Sequence, residues 1–153
     1  MNIMAASPVR DQSVIDREHL RLLAIFHFVA AGMAFMGLLF VLGHYAIFHF
    51  IFSNPEFWEK AQRTQGAPPP GFIMGLARVL YTLFGSWFLF SGVMNVLSGV
   101  FMRGQRHRVF SLVVAGFNCI HIPMGTILGV FTFVVLSRES VIRSYDAQPT
   151  AAP

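Results

Sequence analysis

Three long apolar runs separated by short polar stretches organise the chain, and the way the last run breaks sets how often the chain crosses a membrane. The first, Leu22 to Phe52, is 31 residues without a carboxylate, lysine or arginine. That exceeds one crossing of a hydrocarbon core roughly 30 Å thick, so the excess over Tyr45 to Phe52 is expected at headgroup level. Ser13-Val14-Ile15-Asp16 loosely matches a capping box and predicts a helix start, with Arg17 and Arg21 at the membrane boundary. The second run, about Phe72 to Met102, has its certain part at Val79–Phe101. The third, Val109 to Leu136, would extend about 42 Å as one straight helix, too long for one upright crossing. Pro123 removes a backbone donor and disfavours helix at Ile122, and Gly125 is free to turn, so this run must kink or reverse. Reversal at Ile122 to Gly125 predicts two short spans, about 105–121 and 123–138, each about 25 Å long.

Loop charge chooses between these readings. A single kinked last span puts Arg10, Arg17, Arg21, Arg103, Arg106 and Arg108 on one side against five basic residues on the other. A hairpin adds Arg138 and Arg143 to the first group and leaves Lys60, Arg63 and Arg78 opposite. The excess of positive charge on cytoplasmic loops therefore favours four spans with both termini cytoplasmic, three spans with the last one kinked being the alternative. The expected fold is an all-α membrane protein, a small transmembrane helical bundle. Residues 1–21 form a cytoplasmic N-terminal segment, 22–138 the transmembrane domain and 139–153 a cytoplasmic tail, partly disordered. The loop at 53–71 is interfacial. In it, Asn54-Pro55-Glu56 predicts a short helix over about 55–64 that sets Phe57 and Trp58 at the interface, and Gly66 to Gly71 is a stiff linker.

Composition agrees with that reading. Of 153 residues, 55% are hydrophobic and only 12% charged, and a mean hydropathy of +0.60 separates the chain from ordinary soluble domains. The formal charge of +4 sits in short clusters flanking apolar runs, a pattern of membrane orientation and not of nucleic-acid binding. The expected partner is the lipid bilayer, with association into a homo-oligomer or larger membrane complex. A lone Cys119 permits no intrachain disulfide. The first run is too long for a signal peptide and no small-residue cleavage site follows it.

Small residues predict where helices meet. Gly85, Gly92 and Gly99 recur every seven residues, and Gly125 and Gly129 form a G-x-x-x-G pair. Such stripes let helix backbones approach closely where lipid gives apolar side chains no reason to associate. Asn95, near the Gly92 face, is expected to hydrogen-bond across a helix interface, and Thr126 and Thr132 can bond back to carbonyls. Arg78 is the one charged residue within an apolar run, a candidate intramembrane polar site unless it snorkels to the interface.

His19-Leu20, Leu23 and Phe26-His27, with Pro123-x-Gly125-Thr126-x-Leu128-Gly129 and Val135-Leu136-Ser137-Arg138, resemble the opening and closing motifs of a group of small bacterial inner-membrane proteins. The layout covers about 20–137. The resemblance implies a multi-pass protein of the bacterial inner membrane and carries no activity or ligand.

No motif identifies a reaction. All seven carboxylates, Asp11, Asp16, Glu18, Glu56, Glu59, Glu139 and Asp146, lie outside the apolar runs, which disfavours proton-coupled transport and aspartyl chemistry. There is no H-E-x-x-H, C-x-x-C or phosphate-binding glycine loop. Histidine is the remaining reactive type: His44 and His121 are the pair that would ligate haem iron or a metal in a redox-linked protein. His27 is read as an interhelical hydrogen bonder, and His44 and His49 point about 140° apart on a helix. The leading expectation is a non-enzymatic accessory subunit or assembly factor without a cofactor. The alternatives are the haem or metal protein and a small oligomeric pore or transporter lined by Arg78 and Asn95.

Overall fold

A computed structural model describes residues 12–65 and 68–146. The expectations for the first eleven residues, for Gly66-Ala67 and for the last seven lie outside them. The described chain is α-helical: α1 (Gln12–Phe52), α2 (Pro55–Gln65), α3 (Pro70–Arg103), α4 (Arg108–Asn118), α5 (Met124–Leu136) and α6 (Glu139–Asp146). Of these, α1 and α3 are long and apolar enough to cross a membrane. At 1.5 Å per residue they extend about 61 and 51 Å, well beyond the hydrocarbon core at their ends. Their outward side chains are apolar, with Met36, Phe40 and Phe50 each more than 70% exposed, as lipid-facing helices require.

The chain forms two compact units, one from the residues up to Ala30 with those from Met94 onward, the other Ala31–Val93. In the second unit, α1 and α3 run antiparallel, with contacts in the order Phe35 on Gly92, Leu38 on Gly85 and Tyr45 on Tyr81. A methyl at Gly92 would come within 2.9 Å of the Phe35 ring, and one at Gly37 within 2.6 Å of the Phe88 ring, so each aromatic sits where the opposite helix has no side chain. α2 starts with Pro55 in the first turn and the Asn54 carboxamide oxygen accepting from Glu56 N–H at 3.0 Å. It is clasped to the end of α1 through Phe52, whose ring stacks on Phe48 at 4.3 Å and meets Phe57 at 4.9 Å. Trp58 Nε1–H donates to the Phe52 carbonyl at 2.6 Å, satisfying one of the carbonyls a helix end leaves open. Trp58→Phe keeps the ring packing and removes that bond. It is expected to lower stability by about 1 kcal/mol in detergent unfolding.

In the first unit the final apolar run reverses. A single helix kinked at Pro123 would hold its ends roughly 40 Å apart, whereas Arg108 Nε donates to Leu136 O at 2.8 Å. The reversal occupies Cys119–Pro123, with His121 N–H donating to Asn118 O, Gly125 N–H to His121 O, and the Thr126 hydroxyl to Cys119 O at 2.9 Å. Thr126 thus reaches across the turn and not to its own preceding turn of helix. The helices are shorter than the spans predicted at 105–121 and 123–138. The basic turn runs on to His107 before α4 begins, and five residues are spent in the reversal. With 11 and 13 residues, α4 and α5 extend about 16 and 20 Å, each less than the hydrocarbon thickness.

α6 packs beneath this hairpin. Val141 joins Leu20, Leu23, Ala24, Met102, Val135 and Leu136 in one apolar cluster, with Tyr145 against it. Arg138 Nη1 lies 3.6 Å from Asp16 Oδ1 and 3.4 Å from His19 Nδ1, so the bend after α5 is fastened to the opening turns of α1. Burial pushes the Tyr145 hydroxyl up from 10.0 to about 12 against the opposing pull of Arg108. A raised folded value stabilises below pH 10 and is lost as pH rises toward 12. The wild type is therefore expected to lose thermal stability across that interval more steeply than Tyr145→Phe.

Candidate functional site

The first unit contains a polar cluster with one side chain from each of four helices. His27 of α1, Asn95 of α3, Asn118 of α4 and Thr132 of α5 are at most 3% exposed. Each arises where an apolar helix places a polar residue on its inward stripe: on α4 the buried positions Ser111, Val114, Ala115 and Asn118 follow helical spacing. His27 Nδ1 lies 2.8 Å from Asn95 Oδ1, and Nε2 lies 3.2 Å from Thr132 Oγ1. The carboxamides of Asn95 and Asn118 pair reciprocally, at 3.1 Å and 2.8 Å. The Thr132 hydroxyl donates to Leu128 O at 2.7 Å.

With Asn95 Oδ1 accepting, the neutral imidazole carries its proton on Nδ1, and Nε2 is left as an acceptor for the Thr132 hydroxyl. One hydroxyl proton then serves two acceptors, Nε2 and Leu128 O. Both ring nitrogens are engaged, so neither is available to a metal, and Asn95 is engaged on both carboxamide atoms. The cluster holds four helices together by hydrogen bonds inside an apolar layer, where no water competes for them. It contains no carboxylate, and its one hydroxyl beside a base, Thr132 against His27 Nε2, is closed to solvent. Ser98 Oγ and Ser111 Oγ are also buried, without a hydrogen-bond partner among the described residues.

The histidines proposed from the sequence as a ligand pair belong to different units, His44 to the second and His121 to the first. Tyr81 O–H donates to His44 Nδ1. His121 is half-buried in the α4–α5 reversal, where its carbonyl accepts from Gly125 and Thr126. Among the described residues, no group of three or more His, Cys, Asp or Glu side chains is placed to hold a metal. Arg78 is exposed and lies in the second unit, whereas Asn95 is in the first. Gly85 and Gly92 face Leu38 and Phe35, and Gly99 faces Phe28 and the Ala24 carbonyl. Gly125 and Gly129 lie against the α4 backbone: a methyl at Gly129 would overlap Ala115 O and come within 2.5 Å of Cys119 Sγ, and one at Gly125 would overlap Asn118 O.

No family model, curated protein or solved structure matches the chain.

Asn118 was not among the residues singled out from the sequence. The signal was present, a carboxamide inside an apolar run, the same feature that marked Asn95. Weighing intramembrane amides alongside charged residues would have found it.

Proposed function

We propose that the chain is a non-enzymatic, multi-pass protein of a bacterial inner membrane, with both termini cytoplasmic, acting as an accessory or assembly subunit of a larger membrane complex. The observation that carries this reading is the four-helix polar cluster. Its hydrogen-bonding groups are turned on one another and closed to solvent, an arrangement that fixes helix positions and offers no open site to a substrate. The apolar exteriors of α1 and α3, the basic clusters beside the apolar runs, and the resemblance of the two end motifs to small bacterial inner-membrane proteins support the location.

A chromosomally tagged chain purified in mild detergent is expected to migrate with a second membrane protein in fixed ratio. The steady-state level of that partner is expected to fall several-fold when the chain is deleted. A chain that migrates alone, and whose deletion leaves every membrane complex at its normal level, would rule out the accessory role. Extraction by alkaline carbonate without detergent would rule out the membrane placement.

A further inference from the structure

We infer that a cleft at one end of the first unit binds the phosphate of an anionic membrane lipid. The cleft, about 410 Å³, lies between the opening turns of α1 and the end of α3 and is lined by Arg17, Leu20, Arg21, Met102, Arg103 and Gln105. Three arginines line this space with no carboxylate beside them in the lining, and among the described residues none of the three forms a salt bridge. Like charges collected in one cleft repel unless an anion enters between them. The planar donor fork of arginine suits the oxygens of a phosphate better than a point charge does. The carbonyl end of α3 opposes an anion with about half a unit of negative charge. Three full positive charges outweigh it.

Two features select a lipid over a free anion. The floor of the cleft is apolar, since Leu20 and Met102 are 2% and 1% exposed and belong to the unit's hydrophobic cluster. The glycerol and first acyl carbons of a lipid can lie on such a floor, and a low-dielectric wall strengthens the field above it. Arg21 immediately precedes the first apolar run, Arg17 lies about one helical turn before Arg21, and Arg103 follows the second run, which sets all three at headgroup depth. Gln105 also lines the cleft, from a left-handed backbone, φ 49, a conformation that glycine adopts more readily than glutamine.

The inference rests on the membrane placement proposed above, and the test separates the two. The full chain, purified in mild detergent and stripped of lipid, is offered phosphatidylglycerol or phosphatidylcholine, and bound lipid is read by native mass spectrometry. Phosphatidylglycerol is expected to be retained more tightly, with Arg21→Gln and Arg103→Gln each weakening it about five-fold. Arg103→Lys should weaken it less, and Arg63→Gln, on α2, not at all. Gln105→Gly is expected to weaken retention while leaving the thermal midpoint unchanged or raised. Equal retention of the two lipids, or arginine variants that bind as the wild type does, would overturn the site. Displacement of the lipid by millimolar inorganic phosphate would overturn its assignment to a lipid. Either result in a chain that resists carbonate extraction leaves the membrane placement standing.

Discussion

Gly129→Ala is expected to destabilise the protein by about 3 kcal/mol, the upper part of the range for forcing an extra carbon into a packed interior. The added methyl would overlap the Ala115 carbonyl oxygen and approach Cys119 Sγ and Cys119 N at 2.5 Å and 3.2 Å. Two of those three atoms are backbone, one inside α4 and one in the residue that ends it. They can yield only by moving the whole helix, which would pull Asn118 from Asn95 and Arg108 from Leu136 O. Gly85→Ala is the matched control: its methyl would meet Leu38 at 3.7 Å, ordinary contact, and the change is expected to stay within about 0.5 kcal/mol. Gly92→Ala falls between, because the Phe35 ring at 2.9 Å can tilt. Unfolding by anionic detergent in mixed micelles gives the three values. The maleimide reactivity of Cys119 reports whether the α4–α5 crossing has opened in Gly129→Ala.

Replacing Asn95 by leucine is expected to cost about 2 kcal/mol. It removes the acceptor for His27 Nδ1 and both hydrogen bonds to Asn118 at once. An orphaned buried polar group costs about 1–3 kcal/mol in water-soluble proteins, and single interhelical bonds in membranes average nearer 0.6 kcal/mol. Loss of three contacts at a hub falls between those limits. The diagnostic quantity is the coupling: Asn95→Leu with Asn118→Leu should destabilise less than the two single changes added together, by about 1 kcal/mol, since the second substitution removes a group the first has orphaned. Additive single effects would show that the two carboxamides do not pair.

The helical architecture and the reversal of the last apolar run were legible in the sequence because they depend on local chemistry. Uninterrupted apolar residues from Leu22 to Phe52 leave helix as the structure that satisfies the backbone in lipid, and Pro123 with Gly125 interrupts the last run at its middle. The lengths of α4 and α5 were not legible in the same way. Nothing local shows that Cys119 to His121 leave the helix, a choice bound to the turn carbonyls that Gly125 and Thr126 engage. The polar cluster was half legible: His27, Asn95 and Thr132 each carried an expected hydrogen-bonding role, but their common meeting point depends on the register of four helices. A seven-residue glycine stripe marks a face and does not fix the height at which residue 95 meets residue 118. The aromatic run from Phe48 to Trp58 was read from the sequence only as interfacial, and its packing emerges only with α2 folded back so that Trp58 meets the Phe52 carbonyl.

In the proposed topology the last apolar run enters the membrane and returns, bringing the chain after α5 to the side on which α1 begins. The contacts of Arg138 with Asp16 and of Arg108 with Leu136 O both require the reversal on which that topology rests. The direct measurement places single cysteines by Val14→Cys, Glu139→Cys and Glu59→Cys in a Cys119→Ser background, then labels intact cells with a membrane-impermeant maleimide before and after permeabilisation. Val14→Cys and Glu139→Cys are expected to react only after permeabilisation, and Glu59→Cys before it. Labelling of Val14→Cys and Glu139→Cys from opposite faces would contradict the hairpin.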